Sequence, residues 1–327
     1  MSVIPVIDIA PLFDEEADHR AVSASLAHAA ETVGFFSITG HGISPDLLAR
    51  MRAMVAELFS VSEEDKFRQA ITRHNYRGFI PLGFFTPNRD DPDAPTADRY
   101  EGFKLHWEVD ANDPLCAESA IYGPNRWAEH PPAMRDTVLE YWNGCDCLAR
   151  ALLAAFEQVL GLSQGDMAKQ FARPVTNMTL LHYPPSTPDE NVLGIHPHKD
   201  TNVFTVLHPD PVGGLFVRTR DGDWVEATCP TSALLVNTGD MMEVWSGGRF
   251  TSTPHKVVNA TGAERYAFPW FLAPDHDVVI APLVDPQPGF IRVDPVEVGP
   301  WSLEVWRTNW PDETPSDSTA HLGTLDQ

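Results

Sequence analysis

In GIHPHKDTNVF, His198 and Asp200 stand one residue apart, so on an extended strand their side chains leave from one face and can converge on a single ion. A third candidate, His255 in STPHKVVN, opens another β-rich run that a folded sheet can bring alongside the first. Two imidazoles and one carboxylate on one side of iron(II) leave positions open for oxygen and a second reactant. Zinc is the competing metal. Its catalytic sites more often use three histidines or a His-Glu set, however, and no HExxH helix is present, so iron is favoured. Arg265 opens RYAFPWFL, and a guanidinium turned inward among apolar residues must find a carboxylate.

Side chains that must converge this way need a rigid frame. Beyond Pro174, short β runs at 177–183, 194–198, 203–208, 214–218, 224–226, 233–237, 241–245, 255–258 and 265–272 alternate with Gly, Pro, Asp and Asn. That texture predicts a double-sheet barrel or a jelly roll, the latter being the cupin-like double-stranded β-helix. The first half mixes elements: a β-branched run over 3–10, helical spacing over 21–32 and 45–59, and a strand within 34–43. Residues 134–160 carry the strongest helical stripe, stopped by Gly161, whereas 75–113 reads as a long ordered loop. The expected fold class is mixed α/β with an all-β core flanked by helices. Residues 1–120 form an amino-terminal region packed on a 121–327 helix-plus-jelly-roll core, as one compact unit with a frayed tail.

The bulk numbers narrow the partners. Against 23 Lys+Arg stand 46 Asp+Glu, a formal charge of −23 that opposes phosphate backbones and anionic membranes. Cys116, Cys145, Cys147 and Cys229 show neither CxxC pairing nor zinc-knuckle spacing, so reduced thiols are expected. No apolar run approaches a membrane span and the amino terminus lacks a signal pattern. A cytoplasmic protein, a monomer or weak homo-oligomer with no nucleic-acid or membrane partner, is the expectation.

The ordered motifs HPHKD (196–200), NTGDMMEVWSGGRFTSTPHKVVN (237–259) and RYAFPWF (265–271) resemble the iron(II)/2-oxoglutarate-dependent dioxygenases of the isopenicillin N synthase-like group. IPVIDIAPLF (4–13), ETVGFFSITGHGI (31–43), FSVSEEDKFR (59–68) and NYRGFIPLG (75–83) are similar to that group's amino-terminal region, so the resemblance covers nearly the whole chain. It implies His198, Asp200 and His255 as ligands of Fe(II), Arg265 as partner of the distal carboxylate of 2-oxoglutarate, and Tyr183 as a second contact to that co-substrate. Two positions depart from the family pattern: Ala267 replaces the serine of Arg-x-Ser, and Leu181 replaces an asparagine two residues before Tyr183.

The activity so implied uses O2 and 2-oxoglutarate to hydroxylate, desaturate or cyclise a small-molecule substrate, releasing succinate and CO2. Asp200 fills the position that related halogenases leave open for chloride, so halogenation is not expected. Arg77, Phe84, Phe103, His106, Phe204 and Phe271 are candidate substrate contacts. Two alternatives are an isopenicillin N synthase-like oxidase that does without 2-oxoglutarate, and a non-catalytic cupin-like metal sensor.

Overall fold

The computed structural model describes residues 4–85, 98–187, 193–291, 294–308, 310 and 324–325. Its strands, in chain order, begin β1 (Val6–Asp8), β2 (Phe35–Thr39), β3 (Gly78–Ile80), β4 (Glu101–His106), β5 (Asn177–Tyr183) and β6 (Ile195–His198). They continue with β7 (Phe204–Leu207), β8 (Leu215–Arg218), β9 (Trp224–Glu226), β10 (Leu234–Thr238), β11 (His255–Val257), β12 (Arg265–Ala267) and β13 (Trp270–Leu272).

Two sheets result. The larger runs β1-β2-β10-β7-β13-β5-β4-β3, with β12 also paired to β5, and the smaller runs β6-β11-β8-β9. Their facing inner surfaces make the expected double-stranded β-helix. Because directly opposed residues of a ladder share a face, the register of the large sheet fixes what lines its interior. Asn177 opposes His106 and Phe271, Phe271 opposes Thr205, and Thr205 opposes Asn237. Along β5 the same face carries Thr179, opposite Lys104, then Leu181, opposite Ala267, then Tyr183, opposite Arg265.

The Met134–Leu160 helix backs the large sheet through buried Val138, Tyr141, Leu148, Leu152 and Phe156. It packs on the Arg20–Thr32 and Pro45–Ser60 helices and ends at Gly161, whose φ of 70° is the left-handed cap that glycine adopts without strain. Among the described residues no helix is long and apolar enough to cross a membrane.

Three sequence expectations are corrected. The 75–113 segment holds β3 and β4 rather than a continuous loop, although residues 86–97 lie outside the described residues. The run at 241–245 is helical, part of Asp240–Trp245; all six residues are buried, so no polar face remains to reveal a helical period. The 265–272 run is two strands, parted at Phe268-Pro269, where the proline lacks a ladder donor. Residues on both sides of position 120 contribute to one sheet, since β1 to β4 belong to the same sheet as β5, β7, β10, β12 and β13.

Candidate metal centre

His198 ends β6 and His255 begins β11, and the two are direct partners in the antiparallel register. Their ring centroids are 4.2 Å apart. Asp200 lies two residues past His198, with Oδ1 at 3.9 Å from His198 Nε2 and 3.7 Å from His255 Nε2. The three ligand atoms lie within 4.8 Å of one another, and this is the one such group of three His, Cys or acidic residues found among the described residues.

The surrounding hydrogen bonds leave the inward atoms free for an ion. Nδ1 of His198 faces the carbonyl of His196 at 2.7 Å, and Nδ1 of His255 faces that of Thr253 at 3.1 Å. Each carbonyl accepts a ring N–H at Nδ1, which selects the tautomer with its lone pair on Nε2. Burial, with His198 alongside, pushes the His255 imidazole down to about 4, so it stays neutral and able to ligate. The far oxygen of Asp200, Oδ2, accepts from Thr205 Oγ1 at 2.5 Å and Asn237 Nδ2 at 2.9 Å, leaving Oδ1 toward the imidazoles. Burial alone would raise the Asp200 carboxyl; the adjacent imidazoles and these two donors outweigh it and hold the group below its ordinary range. Two imidazole nitrogens and one carboxylate oxygen, each oriented from behind, fit a divalent iron.

The loop after β6 is strapped to the Asp240–Trp245 helix. Asp240 N donates to Asp200 O at 2.8 Å, Gly239 N to Val203 O at 3.0 Å and Met241 N to Asn202 O at 3.1 Å. Lys199 pairs with Glu243 at 2.9 Å and Asp240 at 3.3 Å. His196 is outside the group of three: its ring and backbone N–H both meet Asp98.

Arg265 is 2% exposed, and its Nε donates to Gly213 O at 2.7 Å while Nη1 is buried without a hydrogen-bond partner. Its guanidinium carbon lies 4.6 Å from the ring centre of Tyr183. Burial raises the Tyr183 phenol to about 12, against the pull of Arg265, so it remains a donor. No carboxylate within 4 Å balances Arg265 among the described residues, a gap that a ligand's carboxylate would fill. Leu181 and Ala267, the two departures, oppose each other across β5 and β12 and are 6% and 2% exposed. Both polar groups are thus replaced together, and neither leaves an orphan.

Asp200 also lines a cavity of about 250 Å³ walled by Tyr76, Ile80, Phe85, Tyr100, Met241, Phe271, Trp301, Val305 and Trp306, with Lys104, Asn177 and Thr179 among its polar groups. Of the six substrate contacts expected from sequence, Phe271 lines this cavity. The other five are engaged elsewhere. Arg77 is buried and donates to Ile121 O, Phe84 packs on Phe85 and Trp310, and Phe204 packs on Phe156. His106 faces Tyr76 O at 3.1 Å and packs edge-on against the Trp306 ring, both of them wall residues. Phe103 points from the opposite face of β4, toward a groove beside Phe79. Thr205 and Asn237 hold Asp200, and Lys104, Asn177 and Thr179 line the cavity with it, although none is a sequence candidate for the site; the alternation in EGFKLH puts Lys104 on the face of His106 once the segment is read as a strand.

Residues 4–130 match the family model for the amino-terminal region of non-haem dioxygenases of morphine synthesis, and 175–274 match that of the 2OG-Fe(II) oxygenase superfamily. A homoarginine-6-hydroxylase of Arabidopsis thaliana is 32% identical over 86% of this chain and 80% of its own length. A 2-oxoglutarate-Fe(II) type oxidoreductase of Emericella nidulans is 30% identical over 83% of this chain and 80% of its own. The crystal structure of a full-length Neurospora crassa protein in complex with alpha-KG and thymine superposes with a TM-score of 0.79 at 22% identity, covering 94% of this chain and 98% of that one.

Proposed function

Because the chain belongs to the 2OG-Fe(II) oxygenase superfamily, as a 2-oxoglutarate-dependent dioxygenase of the isopenicillin N synthase-like group, we propose that His198, Asp200 and His255 hold its iron and that Arg265 and Tyr183 seat the co-substrate. Its small-molecule substrate then lies in the cavity beside Asp200. The observation that carries this reading is the outward engagement of both imidazole Nδ1 atoms and Asp200 Oδ2, which reserves the three facing atoms for one ion. Iron(II) bound there, with 2-oxoglutarate and O2, supplies the oxidising chemistry, and succinate and CO2 are the co-products.

The protein's own share is orientation and exclusion. Arg265, with Nη1 unpaired and Tyr183 against it, fixes the far carboxylate of the co-substrate and hence the end that faces the metal. Apolar Leu181 and Ala267 keep water from that carboxylate. The aromatic wall holds the substrate body against the Asp200 side of the centre, so its position chooses the bond that reacts. Hydroxylation is the outcome we favour, as the name of the Arabidopsis relative indicates for that enzyme.

An anaerobic titration of the iron(II)-loaded protein with 2-oxoglutarate tests the assignment. The weak visible charge-transfer band of chelated co-substrate should appear in the wild type. In Arg265→Leu it should require about 10- to 100-fold more 2-oxoglutarate, the loss of one charge-assisted pair. An unchanged titration in that variant removes Arg265 from the co-substrate site.

A further inference from the structure

We propose that Lys104 is a specificity residue that binds a carboxylate of the primary substrate, whose body rests on the aromatic wall of the cavity. This rests on the metal assignment above, since the cavity is a substrate site only if Asp200 faces iron.

Lys104 leaves β4 on the inner face of the large sheet, opposite Thr179. Its Nζ donates to Asn177 Oδ1 at 2.6 Å and Thr179 Oγ1 at 3.1 Å, and lies 5.3 Å from the ring centre of Phe271. An ammonium has three donors, and the two hydrogen bonds found here end on neutral oxygens. No acidic side chain comes within 4 Å of it among the described residues. The nearby acid of the cavity, Asp200, has Oδ2 held by Thr205 and Asn237 and Oδ1 toward the imidazoles. The other lysine of the cavity, Lys199, is matched by Glu243 and Asp240.

A purely structural lysine would be an expensive way to bridge Asn177 and Thr179, because a cation removed from water needs an anion to offset its desolvation. Burial here pulls the amine down to about 7, so an arriving anion is what restores the full charge. Register ties this cation to the metal centre: Asn177, Phe271, Thr205 and Asn237 oppose one another in turn across four strands, and the last two clamp Asp200. Lys104 and the clamps of Asp200 thus stand on one continuous inner face, and Lys104 and Asp200 line one cavity, which suits a short acid whose reacting carbon lies between its carboxylate and the proposed iron site. The flat rings of Tyr76, Phe271 and Trp306 favour an aromatic or unsaturated body.

The test is calorimetric binding to the anaerobic, iron(II)- and 2-oxoglutarate-loaded protein, with phenylacetate, cinnamate and indole-3-carboxylate each measured against its own primary amide. At least one acid should bind about 10- to 100-fold more tightly than its amide, the preference should vanish in Lys104→Met, and Lys104→Arg should recover part of it. The 2-oxoglutarate charge-transfer titration serves as a separate reading. A normal band in Lys104→Met keeps the metal and co-substrate assignment independent of this one, and absence of the band in wild type would sink that assignment instead. Acids that bind no better than their amides, a preference that survives Lys104→Met, or a Lys104→Met defect in 2-oxoglutarate rather than acid binding would each overturn the proposal.

Discussion

At the proposed metal centre, Asp200 is held by residues that lie outside the group of three. Asn237 and Thr205 hold Oδ2 of Asp200 from neighbouring strands, and removal of either lets the carboxylate rotate and its charge spread. Asn237→Ala should therefore weaken iron(II) binding about 10- to 100-fold without unfolding the protein, as read from metal retention after dialysis against a graded chelator. Retention equal to wild type would make the Asn237 contact incidental. Lys104 makes a prediction of opposite sign for stability. Its amine titrates near 7 when folded and near 10.5 when unfolded, so between those values the unfolded chain holds more protons. The penalty is fully present below pH 7 and is relieved as pH rises toward 10.5. Lys104→Met should thus raise the melting temperature by roughly a few degrees at pH 6 and by much less at pH 10. A variant that melts lower than wild type at pH 6 would show that the lysine's hydrogen bonds outweigh its buried charge.

At the scale of elements, the site is an arrangement of strand ends set by register and by one short helix. The helix start approaches the Asp200 loop so closely that a Cβ on Gly239 would stand 2.3 Å from the Asn202 carbonyl oxygen. Gly239→Ala must push that loop aside and with it Asp200, whose carbonyl accepts from Asp240 N. We expect iron affinity to fall at least tenfold, a few kcal/mol spread between binding and stability, and retained affinity would show that the loop can shift without moving its ligand. This helix is also where sequence reading is weakest. The proposed ligands are legible because His198 and Asp200 obey the two-residue period of a strand and His255 opens another. The Asp240–Trp245 helix is not, because a short element buried on every side carries no amphipathic period. Lys104 escapes notice for a related reason: Pro, Gly and Asp around β4 obscure the alternation that puts it on the inner face. Phe103 and Arg77 are candidates by type, and type alone does not say which face of a strand a side chain takes.

Across the whole molecule, the amino-terminal and carboxy-terminal halves share one sheet rather than meeting at an interface. β2 lies between β1 and β10, and β4 between β3 and β5, so a separated amino-terminal half would keep β1 and β3 as partners but leave the other edge of β2 and of β4 unpaired and much of the core exposed. The centre likewise draws on both sheets, with His198 and His255 on the smaller and the Asp200 clamps on the larger. Melting should therefore be a single cooperative transition in a scanning calorimeter, with calorimetric and van't Hoff enthalpies in agreement. Iron(II) with 2-oxoglutarate at about 100 times their dissociation constants should move that one transition upward by a few degrees, because a ligand that binds only the folded state stabilises whatever unfolds with its site. The net charge of −23 makes low ionic strength the severe condition for this test, since unscreened repulsion would favour separation of any part able to stand alone. Two resolved transitions in dilute buffer, with only the later one shifted by the metal, would mean that the strand pairing between the halves is too weak to couple them and that the amino-terminal region is a dispensable layer on an autonomous jelly roll.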